Sequence, residues 1–102
     1  GQGYMLLNGG DSVAPVLIQW GRVTVTPATA NAVFKQNINF LYEFTGIPFV
    51  STEKSTSAPD TVFTNAGDIA SNGFNIYLKR PTATATSIMW VAIGNGTNAL
   101  PE

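Results

Sequence analysis

The sequence predicts an all-β domain, a small antiparallel β-sandwich of about six to eight strands. No window of eleven or more residues places apolar side chains at the three-and-four spacing of a helix. Thr, Asn, Val, Ile and aromatic residues dominate the chain, and these residues favour strands and turns over helices. Short apolar runs are separated by clusters of Gly, Pro, Asn and Ser, a pattern typical of strands joined by turns.

The first strand is expected over residues 16–26, with Gly21 near its middle. Apolar side chains fall at even positions before the glycine, as in Ile18 and Trp20, and at odd positions after it, as in Val23. A β-bulge at Gly21 would bring both halves onto one face, because glycine tolerates the backbone conformation of a bulge. The sequence therefore predicts a bulged strand with Trp20 in the core.

Three strands are expected in the middle of the chain, over residues 38–44, 49–54 and 61–64. Strict alternation in the first of these places four apolar side chains on one face: Ile38, Phe40, Tyr42 and Phe44. We expect Phe49 to be buried as well, because large aromatic side chains are usually core residues.

Two further strands are expected near the end of the chain. Residues 73–79 alternate with Phe74, Ile76 and Leu78 inward and Tyr77 outward, and a polar hairpin connection follows. The last strand, over residues 87–94, is apolar at both odd and even positions. We therefore expect it to be covered on both faces, by a second sheet or by a neighbouring subunit.

The composition bounds the function. The chain has 102 residues, a net charge of −1, and neither cysteine nor histidine. Its length predicts one domain over residues 1–102. Disulfides, thiolate metal sites and cysteine nucleophiles are excluded, as are a Ser-His-Asp triad and histidine ligands for zinc. No acidic loop of the calcium-binding type appears, so we expect no metal and no cofactor.

Charge is scarce along the chain. Charged residues make up 11%, against about 25% in an average soluble domain, which indicates that copies of the chain cover part of its surface. The near-neutral balance offers no electrostatic footprint for nucleic acid. The longest apolar stretch, residues 13–18, is too short to span a bilayer. We expect neither a nucleic-acid partner nor membrane insertion.

Carboxylate chemistry is the one catalytic possibility that the composition leaves open. A glycosidase needs two carboxyl groups about 5–10 Å apart across a cleft. Glu43 and Glu53 could lie on adjacent predicted strands, so spacing alone permits such a pair. No apolar surroundings that would raise the pKa of either group are predicted. We therefore expect no enzymatic activity.

Four fragments, in order, resemble a known family. Residues 16–21 (V-L-I-Q-W-G) are similar to the L-I-I-Q-W-G opening of C-terminal domains of bacteriophage tail fibres. The similar positions that follow are Phe40, Phe44, Pro48, Gly73, Phe74, Trp90 and Gly94. The resemblance runs from about residue 16 to residue 94. The same aromatic, Gly-Phe and Trp-x-Ala-Ile-Gly arrangement also resembles the H-type lectin domain, a trimeric antiparallel sandwich that binds sugars.

The resemblance implies a homotrimeric, non-catalytic tip domain at the C-terminus of a tail fibre in a phage or prophage particle. Such a domain attaches the virion to the bacterial surface through a polysaccharide or an envelope protein. The alternative is a structural cap that sets the register of the fibre trimer and has no ligand site. Residues 1–12 are expected to be a linker, or a start left by cloning.

Five side chains are the candidate ligand-binding residues: Asp68, Asn72, Tyr77, Lys79 and Arg80. Tyr77 points away from the core side of its strand, so it is either exposed for binding or buried in a subunit interface. Lys79 and Arg80 form the one adjacent basic pair, which suits a phosphate or an acidic sugar or else a solvated strand edge. Asp68 and Asn72 either cap turns or bind sugar hydroxyls. Trp20 and Trp90 are expected to be core anchors, with sugar stacking as the alternative.

Overall fold

The computed structural model describes residues 2–7, 15–58 and 61–96. It contains seven antiparallel strands and, within these ranges, no helix. The strands are β1 (Gln2–Leu7), β2 (Val16–Val25), β3 (Phe34–Asn39), β4 (Phe49–Ser55), β5 (Phe63–Ala70), β6 (Gly73–Lys79) and β7 (Thr86–Asn95). The predicted all-β, antiparallel fold is confirmed. No helix in the described part of the chain is long and apolar enough to cross a bilayer.

The strands form two sheets. Sheet A has the order β1-β2-β7-β4, and sheet B has the order β3-β6-β5. The central pair of sheet A, β2 and β7, is paired along ten residues from Val16–Asn95 to Val25–Thr86. The two sheets lie closest together where β4 packs beside β5.

Apolar side chains from both sheets fill the space between them. Trp90 of β7 lies at the centre of an aromatic cluster, with ring centroids 5.4 Å from Phe74 and 5.8 Å from Phe40. Phe44 extends the cluster, 4.9 Å from Phe40. The inward positions predicted for β6 are confirmed, since Phe74 and its neighbours two and four residues on are buried. The other buried apolar residues are Leu17, Val25, Ile38, Val50, Val62, Ile76, Leu78, Ile88 and Ala92.

Phe40 and Phe44 are buried and Tyr42 is half-buried, as predicted, but residues 40–44 do not form a strand. β3 ends at Asn39, and the following loop is fixed by its backbone instead. The Phe40 and Phe44 amides donate to the carbonyls of Asn72 and Ser71 in the β5–β6 turn. The alternation of the sequence therefore describes which side chains face the core, while the hydrogen-bond partners are those of a loop.

The predicted bulge at Gly21 is wrong, and with it the position of Trp20. β2 runs without interruption opposite β7, so its odd positions face the core throughout. Trp20 is on the outer face of sheet A and 41% exposed. Gln19 takes the inward place and is fully buried. Gly3 lies directly opposite Trp20, and the indole ring covers it so closely that a Cβ there would lie 2.6 Å from the ring.

Two other predictions are corrected. Phe49, expected in the core, is 69% exposed at the start of β4, because the parity of that strand sends Val50 inward instead. Residues 2–7, expected in a linker, form β1 at the edge of sheet A. Residues 8–12 of that segment lie outside the described residues.

The outer face of sheet A carries a patch of apolar side chains. One row of directly paired residues crosses all four strands: Met5, Ile18, Ile93 and Phe49. The next row carries Trp20 opposite Val91, and Met89 follows in the row after it. Most of these side chains are substantially exposed in the single chain. We call this set of seven residues the apolar face of sheet A. It accounts for the apolar residues at both parities of β7.

Candidate functional site

The outer face of sheet B carries most of the predicted binding residues. Asn75, Tyr77 and Lys79 alternate along the outward side of the central strand β6. Strand β3 places Asn37 opposite Asn75 and Lys35 opposite Tyr77. Strand β5 contributes Phe63, Asn65 and Gly67, opposite Lys79, Tyr77 and Asn75. We call this surface the polar face of sheet B.

Asp68 reaches this face because β5 is irregular. The register between β5 and β6 shifts between Gly67 and Ala70, and Asp68 has a positive φ of 51°. Aspartate adopts this left-handed conformation more readily than most residues. The carboxylate Oδ2 accepts hydrogen bonds from the Tyr77 hydroxyl and, at 2.9 Å, from the Asn75 amide. Two predicted site residues, Asp68 and Tyr77, are therefore in direct contact.

This contact changes the acidity of both groups. The Tyr77 hydroxyl, and after it the Asn75 amide, holds the pKa of Asp68 below its usual value, and the positive charge of Lys35 acts in the same direction. The Asp68 carboxylate in turn raises the pKa of Tyr77. Asp68 is therefore ionised, and Tyr77 protonated, over a wider pH range than usual.

A line of amide groups continues the polar face toward β3. The Asn37 amide donates to the Asn75 side-chain oxygen at 3.2 Å and lies 3.4 Å from the Phe74 carbonyl. The carboxylate of Asp68, the amide of Asn75 and the amide of Asn37 thus form one chain across all three strands. The Tyr77 ring lies over Gly67, where a Cβ would be 2.7 Å from the ring.

An exposed aromatic ring and a cation occupy the other end of the polar face. Phe63 is 59% exposed and lies directly opposite Lys79. Two shallow clefts share this pair. One, of about 280 Å³, also reaches Arg80 and Asn31; the other, of about 230 Å³, also reaches Tyr77.

Arg80 has a second, structural contact. Its Nη1 donates at 2.6 Å to Thr86 Oγ1, which lies at the start of β7 and is almost fully buried. Its Nε is buried without a hydrogen-bond partner. The Arg80 carbonyl accepts from the Asn31 amide at 2.8 Å. Arg80 thus stabilises the connection between β6 and β7, which joins the two sheets. It also lines the cleft of about 280 Å³ beside Lys79.

Asn72 lies apart from the other predicted residues. It is in the two-residue turn between β5 and β6, and its carbonyl accepts from the Phe40 amide. Five residues of extended strand separate it from Tyr77, roughly 16 Å. The structure therefore brings together Asp68, Tyr77 and Lys79, with Arg80 at the edge, and leaves Asn72 outside the group.

The two carboxylates considered for catalysis do not lie on adjacent strands. Glu43 is in the loop after β3, where it accepts a hydrogen bond from the Ser71 hydroxyl at 2.6 Å. Glu53 is on β4, at the margin of the outer face of sheet A, directly opposite Met89.

Five side chains of the polar face were not predicted as site residues from the sequence: Lys35, Asn37, Phe63, Asn65 and Asn75. Their common signal is parity, because each is cross-strand to, or two positions from, an outward residue of β6. That signal needs the strand pairing, which the sequence does not provide. The polar face of sheet B presents a carboxylate, several amides, a phenol, an aromatic ring and two ammonium groups on one open surface. Such a set suits the hydroxyl groups and apolar ring faces of a sugar.

The fold is similar to that of solved tail-fibre fragments. A P. aeruginosa R1 pyocin fibre fragment comprising C-terminal residues 323–701 matches with a TM-score of 0.62 and 15% identity. The match covers 92% of this chain and 28% of that fragment. An N-truncated R1-type pyocin tail fibre also matches, with a TM-score of 0.62 and 15% identity, over 90% of this chain and 85% of that one. No family model matches the sequence, and no curated protein matches it.

Proposed function

We propose that this chain is a non-enzymatic receptor-binding domain of a tail fibre of a phage or phage-like particle. It adheres to a bacterial surface glycan or envelope protein. The observation that carries the proposal is the polar face of sheet B, where Asp68, Tyr77 and Lys79 converge on a domain with the fold of tail-fibre fragments.

The geometry of the polar face favours adhesion over bond cleavage. Its groups are spread over an open surface, and the Asp68 carboxylate is held in its ionised form by two hydrogen bonds. A general acid needs the opposite, a carboxyl group whose pKa is raised. Hydrogen bonding to hydroxyls needs only fixed donors and acceptors.

Weak single sites suffice for this function. A site with a dissociation constant on the order of 1 mM contributes about 4 kcal/mol. Linking several such sites in one assembly raises the avidity by about 10²–10⁴. Multivalency therefore makes a shallow surface useful to an attaching particle.

The proposal includes a homotrimer that buries the apolar face of sheet A. A row of four apolar side chains crossing the whole sheet is large for a free surface. The low charge of the chain is consistent with burial between copies. A second copy of this chain is the expected occupant, because the matching structures are fragments of fibres.

A structural cap is the second candidate function. The apolar face of sheet A supports it, because assembly through that face would set the register of a fibre without any ligand site. The two candidates differ at sheet B. A receptor-binding domain uses the polar face, whereas a cap leaves it as a solvated surface.

Binding of the purified domain to intact bacteria and to extracted surface glycans tests the proposal, with the oligomeric mass measured in the same sample. We expect saturable binding that falls at least tenfold in Tyr77→Ala and Lys79→Ala. Lys54→Ala, a lysine of sheet A, is the matched control and should bind like the wild type. An assembled domain that binds no cell and no glycan would overturn the receptor-binding function and support the structural cap instead.

A further inference from the structure

A cavity lies between the two sheets, away from the predicted site residues. It has a volume of about 410 Å³ and opens to solvent. Strands β1 and β2 of sheet A line one side and β3 of sheet B lines the other. The Gln2 amide bridges the two sheets here, donating to the Asn39 carbonyl at 2.9 Å. We call this cavity the inter-sheet cleft. Its volume lies within the range of about 300–1,000 Å³ typical of small-molecule sites.

Gln36 is the residue that the fold alone does not explain. β3 alternates Phe34, Gln36 and Ile38 on its inward side, so an amide stands where the pattern of a packed core calls for an apolar side chain. The Gln36 side chain is half-buried and lines the cleft, and its Nε2 donates locally to the Asn37 carbonyl at 3.2 Å. A polar residue that breaks a local rule without a structural gain is a candidate for function.

The rest of the lining adds polar residues to an apolar floor. The floor consists of Val23, Ile38 and Trp90, and Gln2 and Gln36 are the polar lining residues at inward strand positions. Arg22, Asn37 and Asn39 also line the cleft, but they occupy outward positions of β2 and β3. Arg22 is the only charged residue among those that line the cleft, and its side chain is directed to the outer face of sheet A, beside Met89. Arg22 donates from Nη2 to the Met89 sulfur at 3.1 Å, a weak acceptor, and this uses one of its five N–H donors.

We propose that the inter-sheet cleft binds one neutral sugar unit of a glycan. Amide groups both donate and accept, as sugar hydroxyls do, so the Gln2 and Gln36 amides match a ligand with several hydroxyls and no charge. The apolar floor, with the edge of the Trp90 indole, suits the C–H face of the ring. This site is additional to the polar face of sheet B and depends on the proposed function only for the chemical class of its ligand.

The two sites meet at Asn37. This residue is part of the cleft lining, and its side chain hydrogen-bonds Asn75 on the polar face of sheet B. A glycan chain with one unit in the cleft would therefore pass over the edge strand β3 and reach Asp68 and Tyr77. The shared residue makes one extended site from two shallow ones.

Titration of the ¹⁵N-labelled full chain with glucose, galactose, mannose and N-acetylglucosamine, one at a time, tests the cleft directly. We expect the side-chain amide signals of Gln2 and Gln36 to shift saturably at millimolar concentrations for at least one of these sugars. Gln36→Leu keeps the side-chain size and suits the core pattern of β3, so it should fold and bind that sugar at least tenfold more weakly. Asn95→Ala, an exposed amide at the far end of β7, is the control and should bind like the wild type.

The outcomes separate the cleft from the proposed function. Sugars that leave the Gln2 and Gln36 signals unmoved overturn the cleft site, whatever the cell-binding result. Equal affinity in a folded Gln36→Leu variant overturns it too. Saturable shifts at these amides in a domain that binds no bacterium support the cleft and overturn cell adhesion instead.

Discussion

Gln19 shows how one buried side chain holds a loop that lacks strand partners. It is fully buried, yet both ends of its amide group are paired: Nε2 donates to the Tyr42 carbonyl at 2.8 Å, and Oε1 accepts from the Tyr42 backbone amide at 3.1 Å. The side chain thus takes the place of a neighbouring strand for the Tyr42 peptide groups. A buried polar residue whose two ends are both paired is compatible with the core.

Gln19→Leu should therefore lower the free energy of unfolding by about 1–3 kcal/mol, because both Tyr42 backbone groups lose their partner inside the protein. Chemical denaturation measures this loss. Gln36→Leu is the matched control, since Gln36 is half-buried and bonds only locally; we expect it to lie within about 0.5 kcal/mol of the wild type. A Gln19→Leu variant as stable as this control would contradict the assigned role.

The Asp68–Tyr77 contact makes stability depend on pH in a defined direction. The pKa of Asp68 is lowered in the folded state, mainly by the Tyr77 hydroxyl. Its ionised form therefore stabilises the fold at pH values above the unfolded-state pKa. This contribution is lost as the pH falls through the folded-state pKa.

Tyr77→Phe removes the hydroxyl and should raise the pKa of Asp68 toward its usual value. Carbon-detected NMR titration of the carboxyl groups measures the pKa. Denaturation should show that Tyr77→Phe is less stable than the wild type at neutral pH. This difference should shrink in acid. Tyr4→Phe, on sheet A, serves as the control and should leave the pKa of Asp68 the same as in the wild type. An unchanged Asp68 titration in Tyr77→Phe would show that the Tyr77 hydroxyl does not cause the lowered pKa of Asp68.

At the scale of the elements, the pairing of β3 with β6 depends on Gly73. This residue lies opposite Asn39 at the end of the pair, and a Cβ there would be 2.4 Å from the Ile38 carbonyl oxygen. Backbone atoms cannot move aside as a flexible side chain can.

Gly73→Ala should cost about 3 kcal/mol or more in unfolding free energy, because the two strands must separate to admit the methyl group. Thermal denaturation followed by circular dichroism measures the loss. Ala70→Gly is the control, because Ala70 is the β5 residue that pairs with Gly73. We expect it to lower the free energy of unfolding by about 0.5–1 kcal/mol. If the two variants prove equally stable, the close approach of β3 and β6 is not what requires glycine.

The elements that the sequence predicted well are those with strong local signals. β6 has the predicted bounds, and β4 and β7 differ from prediction by a residue or two, because alternation and turn residues mark their ends. The loop after β3 imitates a strand, since its aromatic residues are buried at alternate positions by contacts with a distant turn. The prediction of the inward face of β2 failed for a different reason. Its inward Gln19 and outward Trp20 reverse the usual preference of each residue type.

Only those residues of the candidate site that follow from the alternation within one strand were predicted from the sequence. Tyr77 and Lys79 follow from the alternation of β6, and Asp68 was included as a polar residue beside a turn. That Asp68 turns back to meet Tyr77 depends on the irregular register at Gly67–Ala70, which no periodicity shows. The residues of the inter-sheet cleft come from four strands that are distant in sequence, so only the folded chain brings them together.

For the molecule as a whole, the apolar face of sheet A determines the expected assembly. Ile93→Lys places a charge in the row that crosses all four strands and should weaken assembly at least about 30-fold, shifting trimer toward monomer at micromolar concentration. Light scattering after size exclusion measures the mass. Thr29→Lys adds the same charge to an exposed loop and should leave the mass unchanged. A wild-type chain that is already monomeric at these concentrations would contradict the assembly.

The placement of the two tryptophans has an optical consequence. They are the only tryptophans in the chain, and neighbouring positions of paired strands put them on opposite sides of sheet A, with Trp20 outside and Trp90 inside. Each indole therefore reports on a different event. Trp20 emission should shift to shorter wavelength when copies associate, while Trp90 emission should respond to occupation of the inter-sheet cleft. A Trp20→Phe protein would keep one fluorophore that reads ligand binding alone, without a label or a second chromophore.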